Sequence, residues 1–373
     1  MERKIAIIGG GPAGLMAAIA AKRQATGATV VVFEAADRVG KKILVTGNGR
    51  CNLTNAGVDA SAYKNPDFVR GVLAQFGYAE TIALFREMGV LTVLDGENRC
   101  YPRTKQATTV LNCMRAEIER LGIKTELTAK VAEIKKQGNA FSVNGQKFDR
   151  VVLATGGGNA DAAKAFGHTV VPCQPSLSAI VTDKKNLVGL NGKRVDAILT
   201  LQGKSVKVSE RGEVLFRENG ISGIAAFNHS ARIARQPDEW KITLDVVPEI
   251  SSADLVKEIA KRDVKARGAD SLEGIVDRFI AQNAIKAAGT CPAQIAAYLK
   301  GIEYKVLGIR AEGAQVASGG VAVGEIDGKM QSKLQKGLYF AGEVVDVDGL
   351  CGGYNLQWAW SSGVVAGKGC VND

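Results

Sequence analysis

Three stretches of this 373-residue chain predict an α/β fold whose parallel-sheet domain is discontinuous, divided by a β-rich insert and a small helical subdomain. The first is Ile5-Ala-Ile-Ile-Gly-Gly-Gly-Pro-Ala-Gly14, a short apolar run that enters the spacing Gly9-x-Gly11-x-x-Gly14 and continues into small or unbranched residues from Leu15 to Ala21. The second is Thr29 to Phe33, another apolar run, which ends on Glu34. The third, near the end of the chain, is Lys336-Gly-Leu-Tyr-Phe-Ala-Gly-Glu343, followed by glycine-rich turns and a run of small residues that reads as a helix.

The first two stretches form a complete dinucleotide-binding βαβ pattern: strand, glycines, helix, second strand and acid all in register. Gly9 permits the tight turn out of the strand. Gly11 lets a pyrophosphate approach the backbone, and Gly14 lets helix and strand pack closely. The helix N-terminus offers unpaired N–H groups and a positive dipole end to phosphates. Glu34 suits a ribose diol, and its charge repels a 2′-phosphate. The Rossmann-like domain is completed from the far end of the chain, where a strand, a polar glycine-rich turn and a helix make another anion or carbonyl site.

Composition narrows the classes. Glycine, at 44 residues, exceeds the usual share and gathers in clusters (Gly9 to Gly14, Gly47 and Gly49, Gly156 to Gly158, Gly319 and Gly320, Gly352 and Gly353), as loops against a ligand require. The net charge of +10 is spread along the chain with no aromatic-interleaved basic stripe, which disfavours a nucleic-acid partner and suits an anionic cofactor. Seven cysteines at scattered positions, without a C-x-x-C, fit neither a disulfide framework nor a zinc site, and point to a reducing cytoplasm. Two histidines, His168 and His229, exclude a histidine-rich metal centre. No apolar run suits a membrane span, and the N-terminus enters its strand too early for a signal peptide.

Between the cofactor stretches, Arg38 to Asn55 is polar and glycine-broken, and its plain reading is a surface loop. The alternative is a segment folding back over the cofactor, with Arg50 or Lys42 facing phosphate and Asn52 facing a polar ring edge. Two core-facing helices follow from Asp67 to Met88, then a polar run at Glu97 to Gln106 and a helix over Thr108 to Leu121. Thr125 to Ile134, Ala140 to Val143 and Gln146 to Phe148 read as a small meander. Val151 to Gly158 is a buried strand meeting a second glycine turn, but Gly156-x-Gly158 ends on Asp161, so it is not a second dinucleotide fingerprint. The expected domains are 1–183 with 314–373 for the cofactor, 184–250 with 304–313 for the β-rich insert, and 251–303 for the helical subdomain.

These residues carry a resemblance. Ile7 to Glu34, Gly40 to Asn55, Arg99 to Thr104, Gly220-Ile-Ser-Gly223, Ala314 to Gly320 and above all Gly337 to Gly363 resemble the BaiN/YhiN-like (HI0933-like) bacterial flavoproteins, the aminoacetone-oxidase-like group, over nearly the whole chain. The resemblance implies non-covalent FAD. It implies Gly9, Gly11, Pro12, Ala13 and Gly14 at the pyrophosphate, Glu34 at the adenosine ribose and the Val131 backbone at adenine. Glu343, with Gly342, falls near the ribityl and pyrophosphate; Gly353, Tyr354, Asn355 and Leu356 fall beside the isoalloxazine. Lys42, Gly49, Arg50, Cys51, Asn52, Thr155 and Gly156 complete the expected cofactor shell. Two departures bear on the substrate side: Gly158 to Phe166 is shorter than in the family, and Gly308 to Gly313 is altered.

The expected function is therefore an FAD-dependent oxidoreductase moving hydride or electrons between a small organic substrate or NAD(P)H and an acceptor. No Ser/His/Asp or metal constellation is needed, and the flavin carries the chemistry. The absent second fingerprint leaves NAD(P)H open as a transient donor. Alternatives are an RNA-associated or tRNA-modifying flavoprotein and a non-catalytic FAD-binding protein. Cys51 and Cys351 stand near the cofactor stretches as candidate redox thiols, against the plainer reading of buried small hydrophobes. Arg50, Arg103 and Tyr354 are candidate substrate or flavin contacts, while His168, Trp358 and Trp360 read as structural.

Overall fold

A computed structural model describes residues 3–236 and 238–372. The chain divides into two compact units, Met1–Gln174 with Val316–Asp373, and Pro175–Gln315.

The first unit begins with β1 (Lys4–Ile8), α1 (Pro12–Gln24) and β2 (Thr29–Phe33). Pro12 opens α1, where its missing N–H costs nothing, and Lys22 and Arg23 close it against the negative end of the dipole. There follow α2 (Lys41–Val45), β3 (Thr54–Asn55), α3 (Pro66–Leu73), α4 (Tyr78–Glu87), β4 (Thr92–Leu94), β5 (Arg99–Pro102), α5 (Ala107–Arg120) and β6 (Lys124–Glu126). Then come β7 (Ile134–Gln137), β8 (Ala140–Val143), β9 (Gln146–Phe148), β10 (Arg150–Leu153), α6 (Asp161–Lys164) and β11 (Val170–Ser176).

After the intervening unit, described below, the chain returns to add β18 (Val316–Val321), β19 (Leu338–Phe340) and α12 (Tyr354–Asn372). The main sheet has the order β19-β10-β1-β2-β6 and is parallel throughout. Ile5, Ala6, Ile7, Val151 and Val152 are fully buried, so these strands read as continuous apolar runs rather than alternating ones. The strand order reverses at β1, with β2 on one side and β10 on the other. Ligands of open α/β sheets bind beyond the carboxyl ends at such a switch point. Gly9 to Gly14 sits at that end of β1. Nothing but glycine fits at 14, because a Cβ there would overlap the Gly9 carbonyl.

One local expectation needs correction. Thr125 to Ile134 is not one strand of the meander: β6 is the outer strand of the parallel sheet, and only β7, β8 and β9 form the small antiparallel sheet. The apolar alternation was too weak there to separate two short strands from the irregular stretch between them.

The second unit holds β12 (Ile180–Thr182), β13 (Arg194–Gln202), β14 (Lys207–Arg217), β15 (Gly220–Ser222), α7 (Ile224–Arg235), β16 (Lys241–Asp245), α8 (Ser252–Ala260), α9 (Val264–Arg267), α10 (Arg278–Ala288), α11 (Pro292–Leu299) and β17 (Ile302–Ile309). Its strands close into an antiparallel barrel, β12-β15-β14-β13-β16-β17. Along β13, Ala197, Leu199 and Leu201 are buried while Asp196 and Gln202 face out, the period of a strand with one wet face. Two details differ from the sequence reading. Ile180 to Thr182 belongs to the barrel, paired with β15 and β17. The helices have no core of their own: Leu255, Ile259, Leu272 and Ile280 share one apolar cluster with Leu199, Leu201 and Ile242 of the barrel.

Candidate cofactor and active site

The site grows from the carboxyl end of β1. The Gly10 N–H donates to Glu34 Oε2 and the Ala36 N–H to Oε1, both at 2.8 Å. Two backbone donors thus fix the carboxylate at the end of β2, and its remaining lone pairs stay available. At Gly11 an added Cβ would meet nothing within 4 Å, so the backbone at the start of α1 faces open space. Beyond Ala36, Thr128 and Ala129 donate to Ala36 and Glu34, and Asn144 bridges Lys130 and Ala132. Among the described residues, Val131 between them has no backbone partner for its own N–H or C=O.

The opposite wall is a turn, 349–353, leading into α12. Three side chains shape it. Asn55 Nδ2 donates to the Gly352 carbonyl at 3.0 Å, and the Tyr63 hydroxyl donates to the Tyr354 carbonyl at 2.8 Å. The Asn355 amide accepts from Gly349 N at 2.8 Å and donates to Gly349 O at 2.9 Å and Leu350 O at 3.3 Å. The Tyr63 and Tyr354 rings meet edge to face, centroids 5.8 Å apart. At Gly353 (φ +105°) a Cβ would lie 2.5 Å from the Thr54 backbone and 3.0 Å from Asn52 Oδ1. The Tyr354 hydroxyl is held above the usual phenol range, first by burial and then by the Asp59 charge, so it stays protonated.

Glu343 ties three loops together. Its Oε1 accepts from Ala317 N at 2.7 Å; its Oε2 accepts from Gly157 N at 3.2 Å and Lys42 Nζ at 2.8 Å. Lys42 is therefore paired with a carboxylate, although the sequence offered it to phosphate. Arg50 lies over the Tyr101 ring, 5.3 Å from its centroid, with Nε on the Gly47 carbonyl at 3.1 Å. Cys51 is fully buried, and burial pushes its thiol up to about 12, far from thiolate chemistry at neutral pH. Thr155 Oγ1 donates to the Asn159 carbonyl at 2.6 Å beside Gly156. Leu356 is buried, and Gly342 donates to Ser362 Oγ at 2.8 Å.

Comparison with known proteins decides the family. The HI0933-like protein Rossmann domain matches residues 3–369. The chain belongs to the HI0933-like family. A 3-dehydro-bile acid delta(4,6)-reductase from Clostridium scindens is 37% identical over 403 aligned residues, covering 98% of each chain. A ribosomal RNA dihydrouridine synthase from Haemophilus influenzae is 30% identical over 399, covering 95% of each. The solved 3-ketosteroid delta1-dehydrogenase from Sterolibacterium denitrificans matches over the whole of both chains with a TM-score of 0.52 at 12% identity, which shows a shared fold. This HI0933-like protein is an FAD-dependent oxidoreductase.

The residues present fit the cofactor. Asn52 Oδ1 is buried and has no donor among the described residues, and a flavin ring edge carries an N–H that would satisfy it. The open backbone at Gly11, the α1 N-terminus and the fixed Glu34 carboxylate suit a pyrophosphate and a ribose diol.

Several supports of this family member's site were not visible in its sequence. Gln357 is fully buried; it accepts from Thr54 Oγ1 and donates to Thr81 and Ser361 hydroxyls, both at 2.8 Å. Trp358 and Trp360 are packing residues with one polar duty each: their indole N–H groups hold the Gly342 carbonyl at 3.1 Å and the Leu53 carbonyl at 2.9 Å. His168 sits between Glu325 (3.0 Å) and Ser332 (2.8 Å). The Ser332 hydroxyl already accepts from Leu334 and Gln335 amides, so its own hydrogen goes to His168 Nε2 and the His168 Nδ1–H goes to Glu325. In that triad-like row His168 and Ser332 are buried and Glu325 is half-buried, and all three are spent on structure. In the barrel, burial lowers His229 to about 4, leaving it neutral with Nε2 donating to the Leu199 carbonyl.

Proposed function

We propose that this protein reduces a carbon–carbon double bond conjugated to a carbonyl, in a small organic substrate, with NAD(P)H as the electron source. The observation that carries the reading is the pre-shaped turn 349–353 at the head of α12, held by Asn55, Tyr63 and Asn355 against the end of the sheet. FAD, when bound, supplies hydride transfer. The chain's part is to hold and polarise: Gly9 to Gly14 take the pyrophosphate, Glu34 the ribose, and the Val131 backbone the adenine. Asn52 and the first-turn amides of α12 at Gly353 to Leu356 face the ring, where unpaired N–H groups and the dipole favour added negative charge. Pre-fixed donors need no rearrangement as charge develops, which is where such a site gains its rate. Thr155, Gly156, Gly342 and Glu343 close the middle of the site by holding its loops.

The substrate class draws support from the two relatives. Saturating a delta(4,6) dienone and saturating the uracil of uridine are the same chemical act: hydride to the far carbon of an alkene conjugated to a carbonyl, then a proton to the near one. We read the setting as cytoplasmic, consistent with cysteines that are unbridged.

The test is anaerobic. NADPH or NADH is expected to bleach the flavin of the purified protein, and a 3-oxo-4-ene steroid or 2-cyclohexenone to restore it, with product heavier by two hydrogens. Reoxidation by oxygen alone, with every enone and uridine inert, would sink the reading. A second reading, uracil within ribosomal RNA, is favoured by the Haemophilus relative. It requires dihydrouridine to vanish from the rRNA of a deletion strain.

A further inference from the structure

The loops Gly47 to Arg50 and Arg103 to Ala107 lie against each other in the first unit, joined by the Ala107 N–H donating to the Gly49 carbonyl at 2.8 Å. They carry Arg50, Arg103 and Lys105, all exposed. Among the described residues, none of the three has a carboxylate at ion-pair distance, whereas nearby Lys41 and Lys42 are both paired.

Arg50 is pre-oriented. Its Nε is spent on the Gly47 carbonyl and its guanidinium lies over Tyr101, and its terminal N–H groups have no acceptor among the described residues. Arg103 continues the β4–β5 ladder through its N–H to the Leu91 carbonyl at 2.7 Å, two residues after Tyr101 and hence on the same face. The backbone here is held in an unfavourable form: Asn48 (φ 54°), Cys51 (φ 56°) and Lys105 (φ 50°) are non-glycine residues in the left-handed region. Such strain persists where the surroundings over-determine it. Asn52, two residues beyond Arg50, has its Oδ1 3.0 Å from where a Cβ on Gly353 would stand, so this cationic rim adjoins the turn at the head of α12.

The surface beside the rim is apolar rather than aromatic. Val45 and Leu91 are 75% and 55% exposed, while Tyr101, the one aromatic ring among these residues, is 7% exposed. Single-stranded RNA is held by exposed aromatic platforms together with cations. Cations beside aliphatic side chains suit an amphipathic carboxylate instead.

We propose that Arg50, Arg103 and Lys105 form a specificity rim that recognises the carboxylate of an apolar substrate. This rests on the enone reading above, since it places an acid group on the molecule reduced at the same site. A charge-assisted contact to an oxyanion is the stronger kind of hydrogen bond, and losing two cations is expected to cost about ten-fold in affinity.

The probes are 3-oxo-4-cholenoic acid and its methyl ester, titrated into the oxidised holoprotein while the flavin spectrum is followed. The wild type is expected to bind the acid about ten-fold more tightly than the ester, and the double variant Arg103→Gln/Lys105→Gln to bring that ratio near one at unchanged melting temperature. Raising the salt concentration is expected to shrink the same ratio in the wild type. Equal binding of acid and ester by the wild type, or a ratio that survives the double variant, overturns the rim and leaves the enone reading standing. Binding of neither compound overturns both. Salt-sensitive binding of a 23S rRNA fragment that the double variant abolishes, without acid preference, would reassign the rim to phosphate.

Discussion

At Cys51 two properties meet that are usually separate: a position beside the glycine loop and complete burial. The thiol is pushed up to about 12 by burial, which disfavours its anion. A redox role needs the thiolate, so Cys51 acts as a small hydrophobe. Cys51→Ala is expected to leave the rate of flavin reduction within about two-fold while lowering stability by about 1 kcal/mol. Stopped-flow bleaching and thiol titration of the native protein at pH 8 check it; rapid labelling of Cys51 with loss of reduction would restore the redox role. Asn355 shows the converse. Its place in Gly353-Tyr-Asn-Leu356 suggested the flavin, yet its amide is bound to Gly349 and Leu350, so its side chain shapes the turn. Residue type and position were legible for both; the direction of the side chain was not.

Among elements, α1 and α12 matter most, since in the proposed reading the first offers its N-terminus to the pyrophosphate and the second to the ring. They cross through small residues: a Cβ on Gly363 would sit 2.6 Å from the Ala13 carbonyl, and one on Gly367 would overlap the Ala17 carbonyl and approach Ala20 Cβ to 3.0 Å. Ala13, Ala17 and Ala20 are buried on the facing side. Gly367→Val therefore overpacks a crossing that cannot spread without tilting α1, and is expected to cost roughly 2–3 kcal/mol. Because α1 carries the phosphate end of the proposed site, FAD affinity is expected to fall with it. Urea unfolding and FAD titration of the apoprotein measure the two effects; unchanged values for both would show that the helices are not coupled in this way. The run of small residues after Ser361 was visible in the sequence as a helix. That its glycines meet the alanines of α1 was not, since small residues fit many partners.

For the molecule as a whole, two units with separate apolar clusters share one chain. In the second unit, β12 and β17 pair through Ile180 and Ile309, so its two ends lie side by side. In the first, β11 and β18 neighbour each other in one sheet. Insertions tolerate removal where the ends are adjacent. The excised segment 175–315 is expected to unfold cooperatively on its own, and the remainder, with Gln174 joined to Val316 by a short Gly/Ser linker, to retain FAD. Calorimetry and flavin absorbance check these; an excised segment with a collapsed amide spectrum and no unfolding transition would show that its barrel depends on the other unit.

By itself the sequence determined the βαβ unit and the acid at Glu34, each encoded locally by glycine spacing and apolar runs that allow few alternatives. The distant Gly337 to Gly363 segment pointed to a discontinuous domain, and the flavin was what the family resemblance implied. Only the tertiary structure decided which polar groups are spent and which remain for a ligand. Thr54 and Gln357 are 303 residues apart, Asn55 and Gly352 are 297, and Tyr63 and Tyr354 are 291. A hydrogen bond across such a separation leaves no periodicity in the chain, because it exists only once the sheet has brought the two ends of the chain to the same switch point.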